Sequence, residues 1–173
     1  CAAIALDSPG APFFRQERVG KGGKHIRIWK FRTMVPDAHE HPERYMTREQ
    51  LETWEREQKL DDDPRVTRIG RFLRKYSIDE FPQFLNVLKG DMSVVGPRPP
   101  LPEEVTQYNQ IYATRMLVKP GITGPWQVSG RSNLSQQESE NLDVSYVQSW
   151  SMLGDCVLLL RTVGAVLGHK GAY

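Results

Sequence analysis

Clusters of glycine and proline divide this chain into short segments, and they limit its fold more than any other feature of the sequence. The first cluster is the glycine-rich stretch 20–24, the second holds four prolines between 97 and 102, and the third is the stretch 119–130, which contains both residue types. Proline interrupts helices and glycine favours turns. Breaks in regular secondary structure are therefore expected at these three places.

The elements expected between these breaks are one hairpin and a series of helices. Residues 13–19 and 25–34 flank the first cluster, and Ile26 and Ile28 alternate with polar neighbours, which predicts a β-hairpin. Apolar residues at helical spacing predict helices over 65–76, 103–116, 134–150 and 153–167, and capping signals predict another over 77–90. The polar segment 39–60 is expected to be an exposed helix, and 119–130 a loop.

The predicted fold class is mainly α, of the α+β type. A domain contains roughly 100 to 200 residues, so the 173 residues are expected to form one helix-rich domain, 1–173, with a small N-terminal β-hairpin. The two cysteines, Cys1 and Cys156, stand at opposite ends of the chain, which excludes a disulfide-rich scaffold and a cysteine zinc cluster. The apolar run 156–160 is far shorter than the roughly 20 residues of a membrane span. Helix 153–167 could still lie on a membrane surface.

Charge is segregated along the chain although the formal net charge is only +2. Basic residues dominate 15–32 and 65–75, whereas carboxylates dominate 37–63. The basic blocks could attract a phosphorylated small molecule, an anionic lipid surface or nucleic acid. The acidic segment is more simply explained as a solvated helix face with ion pairs between successive turns.

The string SIDEFPQ at 77–83 places two carboxylates, Asp79 and Glu80, at the start of a helix. Composition alone favours a capping box, in which Ser77 and Glu80 satisfy the first backbone N–H groups. The alternative is a site for a metal ion and a phosphorylated ligand, since the paired acids lie beside a cluster of arginines. The metal ion would be needed because carboxylates alone would repel a phosphorylated ligand. Both interpretations remain open at this point.

Other strings point to phosphate or metal chemistry less strongly. Arg98 stands between Pro97 and Pro99, where a restrained guanidinium could grip a phosphate, or simply be a solvated turn residue. The segment 119–124 has glycine and a lysine but not the spacing of a P-loop. His39 and His41 are two residues apart, so they point to opposite sides of a helix and are interpreted as surface residues.

Several strings taken in order resemble the bacterial sugar transferase family, the monotopic phosphoglycosyl transferases. The resemblance extends from about residue 8 to the C-terminus, and the ordered motifs together are far more specific than any one of them. They are SPGAPFFRQ at 8–16, KFRTM at 30–34, RIGRFLRK at 68–75, SIDEFPQ at 77–83, NVLKGDMSVVGPRP at 86–99, KPGITG at 119–124 and QVSGR at 127–131.

The resemblance implies an enzyme that moves a sugar 1-phosphate from a UDP-sugar to a polyprenol phosphate, usually undecaprenyl phosphate, with loss of UMP. Asp79 and Glu80 would be the catalytic pair and would hold Mg²⁺, and Asp79 would form a covalent phosphosugar intermediate. The implied partners are the UDP-sugar, the polyprenol phosphate and a membrane surface, with no nucleic acid and a possible homo-oligomer. The implied location is the cytoplasmic face of the bacterial inner membrane. The substrate-binding residues inferred at this stage are Arg98, Lys30, Arg32, Arg74, Lys119, Gln127 and Arg131.

The sequence departs from the family pattern at its N-terminus, and two other functions compete with the transferase interpretation. The family has an N-terminal hydrophobic segment that re-enters the membrane, and only residues 1–6 could be its tail, so we expect that segment to be absent from this chain. The main alternative is a non-enzymatic basic module that binds anionic membrane or nucleic acid. A two-carboxylate glycosidase is disfavoured, because adjacent acids cannot easily flank one glycosidic bond from opposite faces.

Overall fold

The computed structural model describes residues 1–57, 60, 62–105, 110–130 and 134–168. Four short strands are present within this part of the chain: β1 (Phe13–Val19), β2 (His25–Phe31), β3 (Ser93–Val95) and β4 (Gly121–Thr123). The α-helices are α1 (Ala2–Asp7), α2 (Arg48–Glu57), α3 (Arg68–Lys75), α4 (Phe84–Leu88), α5 (Pro102–Val105), α6 (Gln110–Arg115), α7 (Pro125–Ser129), α8 (Gln136–Gln148) and α9 (Met152–Leu167). Short 3₁₀ helices lie at Lys21–Gly23, Pro42–Arg44 and Ile78–Gln83. The mainly α fold class with a small N-terminal hairpin is confirmed.

The N-terminal hairpin pairs β1 with β2 in antiparallel register, with Phe13 opposite Phe31 and Val19 opposite His25. Gly22 and Gly23, in the turn, have positive φ angles of 67° and 77°, a region that glycine enters without steric penalty. The predicted hairpin is confirmed, although its second strand ends at Phe31 rather than at residue 34. Along β2 the buried residues Ile26 and Ile28 alternate with exposed ones, so one face of the hairpin covers the core.

The core lies under the inner face of β2. Ile26, Ile28 and Met92 are buried together, and Val87 of α4 and Ile122 of β4 pack against them. Burying side chains of this size contributes about 1.5–3 kcal/mol each to folding. This cluster joins the hairpin, α4 and β4 into one packed unit.

A buried asparagine aligns α4 with the hairpin. Asn86, only 1% exposed, accepts a hydrogen bond from the Trp29 N–H at 3.0 Å and donates one to the Arg27 carbonyl at 2.9 Å. Its amide therefore pairs with β2 much as a neighbouring strand would. Since these are buried polar groups, losing the partner would leave them unsatisfied, at a cost of about 1–3 kcal/mol.

The stretch 119–130 is not a loop, so that prediction is wrong. Gly121–Thr123 forms β4, which pairs in parallel with β3, and Pro125–Ser129 forms α7. A β-carbon on Gly121 would overlap the backbone nitrogen of Gly96, so the two segments can approach only because glycine has no side chain. Residues that resemble turn signals in sequence here permit close backbone packing.

Two predicted helices differ from the structure, and a third is described only in part. Among the described residues of the segment 39–60, an α-helix occurs only at Arg48–Glu57, because Pro42 starts a 3₁₀ turn and Thr47 caps the helix through the N–H of Gln50. The segment 77–90 is a 3₁₀ helix followed by α4 rather than one helix starting at Ser77. The helix predicted over 103–116 is helical at Pro102–Val105 and Gln110–Arg115, and residues 106–109 lie outside the described part.

The two C-terminal helices lie close to their predicted positions. Ser135 and Glu138 form a capping box at the start of α8, and Ser151 caps α9 through the N–H of Gly154. No residue of α9 is buried, and its exposed apolar side chains include Leu153, at 79%, and Leu160, at 75%. Among the described residues, no helix combines the length and hydropathy required for crossing a bilayer.

Candidate active site

A cavity of about 680 Å³ lies between the hairpin, the 3₁₀ helix Ile78–Gln83, β4, α7 and α9. One part of its wall is polar and holds the carboxylates of Asp79 and Glu80 together with Lys30 and Arg74. Another part is apolar and is formed by Phe81, Phe84, Val94, Ile122, Trp126, Leu159 and Val166. The cavity can therefore accept a ligand that has both a charged and an apolar part.

The turn before Asp79 and Glu80 has an unusual backbone. Ser77 adopts a left-handed conformation, with φ 54°, which is uncommon for a residue with a side chain. Its side chain makes no capping hydrogen bond, and Glu80 bonds to Lys30 rather than to the backbone N–H of Ser77. The capping-box interpretation of SIDEFPQ is therefore wrong. The two carboxylates line the cavity instead of closing a helix end.

Two cationic side chains, one from β2 and one from α3, lie near Asp79 and Glu80. Lys30, on β2, donates to Glu80 Oε1 at 3.0 Å, and both side chains are partly buried. Arg74, at the end of α3, donates through Nε to Thr33 Oγ1 at 3.0 Å. Their positive charges favour the ionised form of Asp79. This part of the cavity can therefore receive an anion despite its paired carboxylates.

Asp79 differs from an ordinary surface aspartate. Burial and the neighbouring charge of Glu80 raise the pKa of Asp79 to about 6, against the opposing influence of Lys30 and Arg74. At neutral pH the group is largely ionised, but it is more basic than a solvated carboxylate. Such a carboxylate can act as a nucleophile.

Of the substrate-binding residues inferred from sequence, the structure brings Lys30, Arg32, Arg74 and Gln127 to the cavity wall. Gln127 Nε2 donates to the carbonyl of Ile122 at 3.3 Å, which connects α7 with β4. Arg131 lies outside the described residues. Binding of a substrate by each of these side chains stays a prediction.

Arg32 lines the cavity, but its guanidinium bonds to the segment before β1. It makes five hydrogen bonds of 2.6–3.2 Å, to Ser8 Oγ and to the carbonyls of Ser8, Pro9, Gly10 and Ala11. This matches the number of N–H groups on a guanidinium. In this structure the Arg32 guanidinium therefore holds the segment 8–11 against the end of β2.

Arg98 and Lys119 lie outside the cavity. The guanidinium of Arg98 contacts both carboxylate oxygens of Glu104, at 3.2 and 3.0 Å, and lies 5.7 Å from the ring centre of Trp126. Lys119 is exposed to solvent. Arg98 is therefore restrained, as its flanking prolines suggest, but its partner in this structure is a carboxylate.

The polar wall could hold a divalent cation together with a phosphorylated ligand. No group of three or more metal-binding side chains occurs in the described part of the chain. Four carboxylates line the cavity, and of these Asp79 and Glu80 are adjacent in sequence, whereas Asp37 and Glu40 belong to the segment after β2. Mg²⁺ is commonly bound by one or two carboxylates, with phosphate oxygens and water completing its six ligands. The donors present fit that pattern.

Sequence reasoning missed Gln16 and His39 in the cavity wall. The sequence motifs include Gln16 only within SPGAPFFRQ, and the prediction that His39 is a surface residue is confirmed but gives no hint of the cavity. In the structure His39 stacks on Phe14, with ring centres 5.9 Å apart, and both rings line the cavity. A usable signal for Gln16 was the alternation along β1, which places it on the same face as buried Arg18.

Comparison with known proteins supports the motif-based resemblance. A family model described as "Bacterial sugar transferase" matches residues 1–169. The chain is 47% identical over 164 residues to "Galactosyl transferase CpsE" of Streptococcus agalactiae, covering 94% of this chain and 36% of the relative. It is 38% identical over 174 residues to "Exopolysaccharide production protein ExoY" of Rhizobium meliloti, covering 99% of this chain and 77% of that relative.

A third relative has a more explicit name. The chain is 41% identical over 179 residues to "UDP-glucose:undecaprenyl-phosphate glucose-1-phosphate transferase" of Escherichia coli, covering 99% of this chain and 36% of the relative. The chain thus spans about a third of the length of this protein and of CpsE. A family model matches nearly the whole length of the chain, and each of the motifs contributes at least one residue to the wall of one cavity. The chain belongs to the bacterial sugar transferase family.

Proposed function

We propose that this chain transfers a sugar 1-phosphate from a UDP-sugar to polyprenol phosphate, usually undecaprenyl phosphate, and releases UMP. The product would be the first lipid-linked sugar of an exopolysaccharide, capsule or O-antigen repeat. The observation that carries the proposal is the placement of Asp79, a carboxylate with a raised pKa, among Lys30, Arg74 and Glu80 in one cavity. The names of the relatives, which include undecaprenyl phosphate as a substrate, support the same chemistry.

The proposed reaction proceeds in two displacements at one phosphorus atom. A carboxylate oxygen of Asp79 attacks the phosphorus that carries the sugar, and the bond from this phosphorus to the oxygen bridging the two phosphates breaks. UMP departs with that oxygen, leaving the sugar phosphate bound to Asp79. A phosphate oxygen of the lipid then attacks the same phosphorus, which breaks the acyl phosphate and restores the carboxylate.

Asp79 and Glu80 are proposed to hold Mg²⁺ together with the diphosphate. When bound there, the ion would neutralise negative charge between the carboxylates and the substrate. Lys30 on β2 and Arg74 on α3 would contribute positive charge and orient the diphosphate. The pairing of Glu80 with Lys30 keeps Asp79 as the carboxylate available to react.

The lipid substrate is proposed to enter from the apolar wall. Phe81, Phe84 and Leu159 line the cavity and are also between 40% and 58% exposed, so the apolar wall continues onto the surface. Leu85 and Leu88 on α4 and the exposed residues of α9 extend that surface. We propose that these side chains rest on the cytoplasmic face of the bacterial inner membrane, where the polyprenol chain is available.

A second function, a basic module that binds anionic membrane or nucleic acid without catalysis, is not favoured. Part of the first basic block is already bonded within the protein, since Arg18 and Arg32 bond to protein oxygens and Lys30 bonds to Glu80. The relatives are named as transferases. A module of this kind would also be indifferent to the charge of Asp79.

The two halves of the reaction can be tested separately. Incubation with UDP-sugars and Mg²⁺ alone should label the protein with one sugar phosphate and release UMP, and polyprenol phosphate should then remove the label. The label should be sensitive to alkali, as acyl phosphates are. If both substrates are turned over but no label forms before the lipid is added, direct transfer between two bound substrates replaces the covalent proposal.

A further inference from the structure

The side chain of Gln16 reaches the cavity from the same hairpin face as Lys30. Phe14 pairs with Lys30 and Gln16 with Ile28, so Gln16 is a diagonal neighbour of Lys30. Both side chains line the cavity. Gln16 therefore stands beside the cation that bonds to Glu80.

The orientation of the Gln16 amide follows from its partner. Arg18 Nη2 lies 2.8 Å from Gln16 Oε1. A guanidinium carries only donors, so the atom it contacts must be the carbonyl oxygen of the amide rather than its nitrogen. The NH₂ group is thus the end of the amide left for the cavity, and it makes no hydrogen bond within the described part of the chain.

Arg18 is itself held firmly. It is 8% exposed, and its Nη1 donates to the Pro99 carbonyl at 3.1 Å. Burial and the nearby charge of Arg98 lower its pKa to about 10, while Glu104 and Glu80 oppose that shift, so Arg18 remains a donor at neutral pH. Arg18 can therefore hold the Gln16 carbonyl oxygen in this orientation at neutral pH.

We propose that Gln16 is a substrate-binding residue that donates hydrogen bonds to a phosphoryl oxygen of the nucleotide sugar. This inference rests on the proposed function. In a cavity that also holds Asp79 and Glu80, a neutral amide can donate to an oxyanion without bringing a further charge, and the charge of Lys30 is already shared with Glu80. Arg18 acts through Gln16 as a positioning residue and connects the proline-rich segment 97–100 to the cavity.

Two substitutions of Gln16 distinguish its hydrogen-bond donation from its packing. Gln16→Met keeps the length of the side chain and removes its donors, whereas Gln16→Glu keeps the bond to Arg18 and replaces the donor with a negative charge. We expect kcat/KM for the UDP-sugar to fall about tenfold or more in Gln16→Met, the loss typical of a hydrogen bond to a charged group, and further in Gln16→Glu. Gln148→Glu, on the exposed end of α8, is the matched control and should leave turnover unchanged.

Calorimetric binding of UDP and of the UDP-sugar identifies the atom contacted. If the contact is to phosphate, Gln16→Met should weaken both ligands by the same factor. Weakening of the UDP-sugar alone would place the contact on the sugar and overturn the phosphoryl assignment. Binding and turnover within twofold of wild type for Gln16→Met would overturn the role of Gln16 even if Gln16→Glu is impaired. A wild-type protein that neither binds nor turns over any UDP-sugar would instead refute the proposed function, and this inference with it.

Discussion

Two aspartates have similarly raised pKa values but occupy different surroundings. Burial raises the pKa of Asp79 and of Asp143 to about 6 in each case. Asp143 is fully buried on α8 and forms an ion pair with Arg115 of α6 at 2.9 Å, while also accepting from the Arg98 N–H at 3.2 Å. Asp79 faces a cavity and has Lys30 and Arg74 nearby, each of which bonds to another residue.

The difference shows that a shifted pKa does not by itself identify a reactive group. The partner of Asp143 is a side chain that is only 4% exposed, so this pair is sealed and connects α6, α8 and the segment around Arg98. The carboxylate of Asp79 is accessible to a ligand. Access, rather than the pKa shift, therefore separates the proposed chemical site from a structural ion pair.

Replacement of Asp79 by asparagine should have the largest effect on turnover. Asp79→Asn retains the shape but not the nucleophile, so we expect a loss of at least about 1000-fold in UMP release. Since burial disfavours the charge, we expect no loss of thermal stability at pH 7. Asp62→Asn, at a largely exposed carboxylate, is the control. Wild-type turnover by folded Asp79→Asn would end the assignment of Asp79 as nucleophile.

Replacement of Asp143 should lower the stability of the fold, whereas replacement of Asp79 should lower turnover. Asp143→Ala leaves Arg115 buried without its counter-charge, so the free energy of unfolding should fall by about 3–5 kcal/mol, measured by urea denaturation. Asp143→Asn keeps an acceptor for Arg115 and for the Arg98 N–H and should be less damaging. Equal stability of Asp143→Ala and wild type would show that the pair contributes nothing.

Replacement of Glu80 tests the metal-binding part of the site. Glu80→Gln should lower turnover by about 10- to 100-fold and shift the Mg²⁺ titration to higher concentrations, because a neutral amide is a poorer ligand for a hard cation. The matched variant Glu104→Gln changes a carboxylate that lies outside the cavity. An unaltered Mg²⁺ titration in Glu80→Gln would assign Glu80 only to its bond with Lys30.

The pH dependence should report the state of Asp79. Without bound metal the pKa of Asp79 is raised to about 6, and labelling by the UDP-sugar should decline at acidic pH as the carboxylate becomes protonated. The same shift means that the contribution of Asp79 to stability is lost as pH rises through about 6. The melting temperature of Asp79→Asn should therefore exceed that of wild type more at pH 8 than at pH 4. A constant difference would contradict the raised pKa.

The smallest effect is expected for Arg98→Lys. Arg98 bonds to Glu104 outside the cavity, so the substitution should cost about 1 kcal/mol or less of stability through the loss of the contact between Nη1 and the two Glu104 oxygens. Turnover should change less than twofold. A large fall in UDP-sugar affinity without a change in stability would restore the phosphate contact expected from the sequence.

Local sequence patterns determined the hairpin and the approximate positions of α3, α8 and α9. Their signals lie within a few residues: alternation around Ile28, glycine in a turn, and serine before a helix. The family motifs also selected Asp79 and Glu80. Each of these inferences depends on neighbours along the chain, which a sequence displays directly.

Only the tertiary structure decided how the polar residues pair. Glu80 bonds to Lys30, fifty positions away, rather than to the backbone of Ser77, and Arg98 bonds to Glu104 rather than lining the cavity. A carboxylate or guanidinium has similar intrinsic affinity for any partner of opposite charge, so local sequence cannot choose among them. The choice is made when the buried cluster around Ile28 and the close approach of Gly96 to Gly121 bring distant segments together.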